Sequence, residues 1–569
     1  MEDELFFHIF YLLPWKTNFL FLFCYLPSRW TSVLFLFSVN LMLQRHRFSC
    51  FFSMRPISNS YFFIIFATEN KNKMKRNIFL AFILLLAGIQ EMQSQEKREF
   101  RGAWVQCVNG QFLGLGKDGM QQMLTRQLDE MNKDGVNAII FQVRAECDAL
   151  YASPYEPWSR FLTGQQGNAP QPYWDPLAWM VSECHKRGME LHAWINPYRA
   201  KTKTTNTLAS NHIAIRKPGA VFAYDNQLIL NPGQPENREY ICKIASDIVR
   251  RYDVDGFHID DYFYPYPAAG QAIPDDQEYA LYGNGIKDRG DWRRYNVNLF
   301  MKQLCDSIHH VKPWVKFGVS PFGIYRNKSN SPAGSNTKGL QNYDDLYADV
   351  LLWVNNGWVD YCAPQLYWQI GHPAADYDEL IRWWDSHAAN RPLYIGEDVE
   401  RTVKYADPQD ANSHQLKAKR RLHREMRHVN GTVLWYAKSF CDNIGNYASA
   451  MRTGYWKYPA LQPKMPFIDN KAPKKPKHVI PVWANGDYVL FWQAPKAKKW
   501  ADEAVRYVVY RFDKGERINT EDPSKIVAIT PDCHYKLPYA DGRTRYTYVV
   551  TAVDRMSNES KTVKKKISL

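Results

Sequence analysis

The sequence predicts an α/β protein: a (β/α)8 TIM barrel followed by a small all-β sandwich of the immunoglobulin or fibronectin III-like kind. Three observations predict it. One strand pattern has an apolar and a polar face, that pattern recurs eight times with helical patterns between, and short alternating runs take over after a Pro- and Lys-rich stretch. The most informative segment is VDGFHIDDYFYP at 254–265. At strand period His258 and Asp260 share one face, while Phe257 and Ile259 share the other. The apolar pair needs a covering helix, so His258 and Asp260 face a different, polar space. Asp260 and Asp261 close the strand, and Tyr262, Phe263 and Tyr264 follow. Acids and stacking rings delivered at a strand end are what a sugar-cleaving barrel requires.

The other strands follow in chain order. In 101–107, Ala103 and Val105 oppose Trp104 and Gln106; in 138–146, Ile139, Phe141 and Val143 oppose Gln142, Arg144 and Glu146. In 190–196, Leu191, Ala193 and Ile195 oppose His192, Trp194 and Asn196. Residues 316–322 set Phe317 and Val319 against Gly318 and Ser320, and 361–368 set Cys362 and Leu366 against Gln365 and Tyr367. Apolar segments at 392–398 and 432–438 complete the set. Helical patterns lie between, at 119–133, 176–187, 237–251, 292–310, 343–355, 375–387 and 413–428. Strands alternating with helices read as βα units around a parallel sheet. Eight such units over about 340 residues fit a barrel with enlarged loops, whose chemistry sits at the C-terminal strand ends.

At 569 residues the chain exceeds one ordinary domain. Residues 1–73 are rich in Phe and Leu, but their apolar runs stop short of the roughly 20 residues that span a bilayer. Met74 then opens a basic n-region, 78–89 form an apolar h-region, and 92–94 offer a cleavage site. Translation is therefore expected to start at Met74, with 1–73 a non-native extension, 74–94 a signal peptide, and the mature chain exported to the periplasm or cell surface without a transmembrane anchor. The barrel is expected over 95–460, a linker over 461–481, and the sandwich over 482–569, with strands at 488–492, 506–512, 525–529 and 546–553. The net charge of +14 is scattered or gathered at 471–477 and 561–566. No nucleic-acid motif accompanies it, so nucleic acid is not an expected partner. Eight of the ten cysteines follow residue 94, with no CxxC or zinc spacing.

The segment from about Lys97 to Trp456 resembles the bacterial glycosyl hydrolase-like 10 family. The carrying motifs are FRGAWV (100–105), FQVRAECDALYASPYEPWSRFLTG (141–164), LHAWINPYR (191–199), LNPGQPE (230–236), VDGFHIDDYFYP (254–265), VSPFGIYRN (319–327), APQLYW (363–368) and LYIGEDV (393–399). The resemblance implies a (β/α)8 barrel and glycoside hydrolase activity on a cell-wall or other bacterial polysaccharide. The pairing of RYVVYRF with YTYVVTAVDRMSNES resembles a fibronectin type III module.

Glycoside cleavage needs one carboxylic acid to protonate the leaving oxygen and one carboxylate to attack or to activate water. Asp260, Asp261 and Glu146 are the catalytic candidates, with Asp148, Glu397 and Asp398 in reserve. The fifth strand ends in Ser320-Pro321-Phe322 without an acid, a departure from many retaining barrels. Trp158, Tyr262, Tyr264, Tyr325, Tyr367 and Trp368 are candidate platforms for sugar rings. Arg144, Asp148, His192, Trp194, Asn196, Arg199, His258 and Gln365 are candidate polar or lining contacts; Arg144 serves equally as a structural partner of Asp260 or Glu146. No cofactor or metal is expected. Two alternatives stay open: a metal-dependent hydrolase using His192, His258, Asp260 and Asp261, and a glycan-binding barrel without turnover. A serine nucleophile lacks its GxSxG elbow.

Overall fold

The computed structural model describes residues 95–203, 206–387 and 391–569, together with four strands between residues 19 and 67. The chain divides into two units, 1–94 and 95–569. In the first, Phe19–Ser28, Thr31–Gln44, Arg47–Arg55 and Tyr61–Ala67 pair as an antiparallel meander in sequence order. The signal peptide expected at 74–94 and the start assigned to Met74 lie outside the described residues.

In the second unit eight parallel strands close into a barrel. They are β1 (Phe100–Val105), β2 (Ala138–Arg144), β3 (Glu190–Ile195), β4 (Gly256–Ile259), β5 (Lys316–Val319), β6 (Tyr361–Cys362), β7 (Leu393–Asp398) and β8 (Val429–Trp435). The β8–β1 pairing, Gly431 opposite Phe100, completes the ring. Helices on the outside include α1 (Gly116–Lys133), α2 (Pro176–Lys186), α3 (Pro235–Arg251), α4 (Arg289–Val311), α5 (Val350–Asn355), α6 (Tyr377–His387) and α7 (Leu416–Glu425). Their starts carry the expected chemistry: Asp175 accepts from Ala178 N at 2.9 Å ahead of Pro176, and Asp288 accepts from Asp291 N at 2.7 Å.

The two-faced strand pattern separates two cores. Ala103, Val105, Ile139, Phe141, Leu191, Ile195, Phe257, Ile259, Phe317 and Val319 pack outward under the helices. Phe100, Trp104, Ile140, Trp194, Tyr361, Ala363, Tyr394 and Val433 fill the interior. Low in the interior the Phe100 and Tyr394 rings stack 4.1 Å apart, with Tyr361 5.1 Å from Tyr394. Glycines on neighbouring strands make room for these rings. A Cβ on Gly318 would lie 1.9 Å from the Tyr361 ring, and one on Gly256 2.4 Å from the His192 ring.

Two elements differ from expectation. β6 stops at Cys362 instead of running to 368, because Pro364 cannot donate to the ladder. The helix expected over 343–355 is split into Asn342–Asp345 and α5 by Tyr347, whose φ is 55°. Among the described residues no helix is long and apolar enough to cross a membrane.

Beyond the barrel, β9 (Lys477–Ala484), β10 (Asp487–Gln493) and β13 (His534–Lys536) form one antiparallel sheet in the order β9-β10-β13. A second sheet runs β12-β11-β14-β15, from β11 (Arg506–Asp513), β12 (Ile526–Thr530), β14 (Arg545–Val553) and β15 (Val563–Ser568). This is a small all-β domain, with three strands more than the four expected. It sits against the N-terminal end of the barrel. Met465 and Met556 join the interior cluster of the barrel, and Arg506 lies 3.4 Å from Glu190 and 3.6 Å from Asp255. Within the 461–481 stretch Leu461 is buried and pairs with the chain at Lys97 and Glu99, so its first residues extend the barrel floor.

Candidate active site

The C-terminal end of β4 places Asp260 inside the barrel mouth and Asp261 beside it. Asp260 is 4% exposed. Its Oδ2 accepts from Trp194 Nε1 at 3.2 Å and from Asn196 Nδ2, while its Oδ1 is buried with no hydrogen-bond partner. Burial, then the charge of Asp261, raises its pKa to about 8. Asp261 accepts from Tyr266 OH and from the Gln365 amide. Burial raises its pKa as well, against the pull of those donors. Asp260 is thus the member of the pair that holds a proton near neutral pH.

The surroundings come from β1, β2, β3 and β8 and from the segments that follow β3 and β6. Asn196 Oδ1 accepts from Gln142 Nε2 at 2.6 Å and from Arg199 Nη2, which fixes the amide that holds Asp260. Arg199 also donates to Ala145 O at 3.0 Å, and its guanidinium lies 4.9 Å from the Tyr262 ring. Gln365 Nε2 donates to Ser320 O at 2.9 Å. Trp435, at the end of β8, lies 6.2 Å from Trp104, 6.4 Å from Trp194 and 6.0 Å from Tyr367, stacked on the last. Four aromatic rings therefore stand beside the acid pair. Next to them a cavity of about 250 Å³ is lined by Arg199, Lys203, Asp225, Tyr262 and Tyr266 among others. Trp435, Trp104, Tyr266 and Gln142 were not expected as site residues. Trp435 sits at the middle of the apolar segment 432–438 in the sequence and only the structure makes it the end of β8.

Other expected residues have partners of their own. Glu146 is gripped by Arg160 Nε at 2.7 Å and Nη2 at 3.1 Å, by Thr202 N at 2.7 Å and by Thr202 Oγ1. Burial alone would raise its pKa, but these donors outweigh it and the carboxylate is held below its usual range. Such a group keeps no proton to give. Arg144 pairs with Glu156 at 2.7 Å and donates to the carbonyls of Asn196 and Pro197, so it braces the loop after β3 and is a partner of neither Asp260 nor Glu146. Asp148 accepts from Glu146 N at 3.0 Å and from Gln166 Nε2 at 3.3 Å. Trp158 stands edge-on to Tyr173 at 6.1 Å, and Trp368 edge-on to Phe322 at 5.4 Å. Tyr325 donates to Asp349 at 2.8 Å and stacks on Trp383.

His192 and His258 lie deeper in the barrel, both 0% exposed. Each shares the Tyr361 hydroxyl, at 2.8 and 2.9 Å; His192 also meets Glu190, and His258 meets Ser320 Oγ at 2.9 Å. Burial and the neighbouring His192 push the pKa of His258 well down, so its ring is neutral. The two rings are turned to Tyr361, away from the ligand set of the metal alternative. Among the described residues no three His, Cys, Asp or Glu side chains converge as a metal-binding group. The eight described cysteines are free thiols. Of the reserve acids, Glu397 is buried against Arg420 and Tyr447 OH (2.7 Å) behind the barrel wall. Asp398 caps the helix Val399–Lys404 through Arg401 N at 2.9 Å.

A family model described as Glycosyl hydrolase-like 10 matches residues 99–412. The chain is 41% identical over 487 residues to glycosyl hydrolase YngK of Bacillus subtilis (strain 168), covering 83% of this chain and 94% of that protein. It is 39% identical over 288 residues to glycosyl hydrolase DigH of Escherichia coli (strain K12), covering 48% of this chain and 65% of that one. Among solved structures, the PgaB (BpsB) glycoside hydrolase domain from Bordetella bronchiseptica aligns over 63% of this chain and 99% of its own, at 14% identity and a TM-score of 0.39.

Proposed function

The chain belongs to the glycosyl hydrolase-like 10 family, and from that premise we propose that it is an exported glycoside hydrolase cleaving O-glycosidic bonds of a bacterial cell-wall or related polysaccharide by carboxylate chemistry. The observation that carries the reading is Asp260: a buried carboxyl with one oxygen fixed by Trp194 and Asn196 and the other without a partner. It keeps a proton at neutral pH, as a general acid for a leaving alcohol must. Asp261 supplies negative charge for the cation-like transition state. Tyr367 and Trp435 offer faces for a sugar ring, and Arg199 and Tyr262 border the cavity where the polysaccharide extends. The hydrophobic segment at 78–89 behind a basic start supports export, and the net charge of +10 carried by residues 95–569 suits an anionic wall polymer.

The test is incubation of the protein with purified cell-wall glycan and a polysaccharide panel, with products read by mass spectrometry. New reducing ends from one polymer, lost in Asp260→Asn, are the expected result. The engagement of Glu146 by Arg160 favours one second reading, a glycan-binding barrel that retains the fold without turnover. That reading requires saturable binding and no product from any polymer.

A further inference from the structure

A line of hydrogen bonds runs down the barrel interior from the acid site to the floor, and donor chemistry at both ends fixes its sense. At the upper end Trp104 Nε1 lies 3.3 Å from His258 Nε2. An indole N–H only donates, so His258 Nε2 is the acceptor there, shared with Ser320 Oγ at 2.9 Å. Burial and the neighbouring His192 keep the His258 ring neutral, which leaves its single proton on Nδ1. That N–H donates to the Tyr361 oxygen at 2.9 Å. The Tyr361 hydroxyl proton then goes to His192 Nδ1 at 2.8 Å. His192 therefore carries its own proton on Nε2, 3.2 Å from Glu190 Oε2. Burial works against charge on Glu190, but Lys316 and Arg506, 2.5 and 3.4 Å from its Oε1, hold it ionised, so it only accepts. Each proton in the line points from mouth to floor, and the five side chains from Trp104 to Glu190 are buried. A reversed line would set N–H against N–H at Trp104 and a bare nitrogen against the Glu190 carboxylate.

What His258 Nε2 holds belongs to the acid site. Trp104 stands edge-on to Tyr367 at 6.3 Å and to Trp435 at 6.2 Å. The Ser320 carbonyl takes the Gln365 amide at 2.9 Å, and Gln365 donates to Asp261. Resting on the glycosidase reading for what is positioned, we propose that Tyr361 and Glu190, both below the mouth, are positioning residues for the reaction: through His192 and His258 they turn one nitrogen lone pair upward, and that lone pair sets the Trp104 ring and Ser320 beside the acid pair. The line needs the Tyr361 oxygen because it accepts from one imidazole and donates to the other. It needs a carboxylate at position 190 because only an acceptor there keeps the His192 proton on Nε2. In Glu190→Gln the single amide oxygen goes to Lys316 and Arg506, and the NH2 group turns to His192. His192 Nε2 then accepts, and the line reverses as far as His258, leaving an N–H against Trp104.

The test uses the whole protein labelled with ¹⁵N-histidine and ¹⁵N-tryptophan. Protonated and bare ring nitrogens are far apart in the ¹⁵N spectrum, so the tautomers are read directly, with signals assigned by their loss in Trp104→Phe, His192→Asn and His258→Asn. The parent should show His258 as Nδ1–H and His192 as Nε2–H. Tyr361→Phe and Glu190→Gln should each move the His258 proton to Nε2 and shift the Trp104 indole signal; either variant decides the matter if the other fails to fold. On purified cell-wall glycan, kcat per folded molecule should fall about 10²-fold in both, the scale of a reacting geometry set about 1 Å out of place, with KM little changed. Tyr394→Phe removes a hydroxyl from a neighbouring interior ring outside the line and should keep the parent's kcat and indole signal. An Nε2–H tautomer at His258 in the parent, or Nδ1–H at His192, overturns the proposal and leaves the glycosidase reading standing. So does a parental kcat in the folded variants. If the parent releases no product from any polymer, the glycosidase reading fails. The Trp104 signal then decides by itself: moved in the variants, it upholds the positioning of that ring, and unmoved, it overturns that as well.

Discussion

A carboxyl whose proton is held up to about pH 8 sets the expected pH dependence of the site. If Asp260 is the proton donor, turnover persists below that value and falls about tenfold per unit above it, because only the protonated form serves the leaving oxygen. Asp260→Asn should lower turnover by about 10²–10⁴-fold while glycan binding changes far less. The same substitution should stabilise the fold, with a signed pH dependence. The folded pKa lies above the ordinary carboxyl value. Between roughly pH 4 and 8 the unfolded chain has released a proton that the folded chain keeps, so stability falls as pH rises through that window. Asparagine has no such loss, and the gain in melting temperature over the parent should be larger at pH 9 than at pH 5; a constant or reversed difference would falsify the assignment. Glu146→Gln is expected to behave differently. It breaks an ion pair whose members are 1% and 13% exposed, costing about 3 kcal/mol. Melting should register that loss, whereas turnover per folded molecule stays within about tenfold, below the 10²-fold scale of a lost acid or base.

At the scale of elements, the strands were legible because each has one side under a helix and one inside the barrel. A two-residue apolar period survives only where one side is uniformly apolar. Ile139 and Phe141 against Ile140 and Gln142 show the period at work. It fails where the backbone stops being regular. The β2–β3 register shifts between Gln142 and Arg144, and Cys147 has φ 47°, so counting in twos from Gln142 to Glu146 crosses a bulge and a turn. That is why Arg144 meets Glu156 and Glu146 meets Arg160. Pro364 cuts β6 short in the same way, yet Gln365 still reaches the site through its amide. Asp260 was legible because β4 is regular through Ile259. Trp435 was hidden by its apolar neighbours in β8, which gave no reason to single out one ring. The strand packing itself can be tested at Gly318. A methyl there would lie 1.9 Å from the Tyr361 ring, which is held by His192 and His258. Gly318→Ala should lower stability by about 1–3 kcal/mol in denaturant titration, with a matching loss of soluble yield.

For the whole molecule, the barrel and the small all-β domain meet through buried charge. Arg506 of β11 reaches Glu190 and Asp255, which also take Lys316 at 2.5 Å and His185 at 2.8 Å. Burial would raise the pKa of Glu190, but Lys316, His192 and Arg506 bring it down to about 2. Those acids stand at the starts of β3 and β4, and Trp314, just ahead of β5, lies tilted against Trp500 with ring centres 5.3 Å apart. Removing the domain would leave Met465 and the lower barrel rings facing water. This floor contact bears on how the protein comes apart on heating. Two modules tied by a loose linker would melt as separate calorimetric events. Here β3 and β4 hold the partners of Arg506, and β4 also delivers Asp260, so loss of the small domain loosens the strand that ends at the site. A scan of residues 95–569 should give one endotherm whose calorimetric and van't Hoff enthalpies agree. Arg506→Met should split it or move the barrel transition down. Heat inactivation would then follow the melting of a domain that lies at the opposite end of the barrel from the acids.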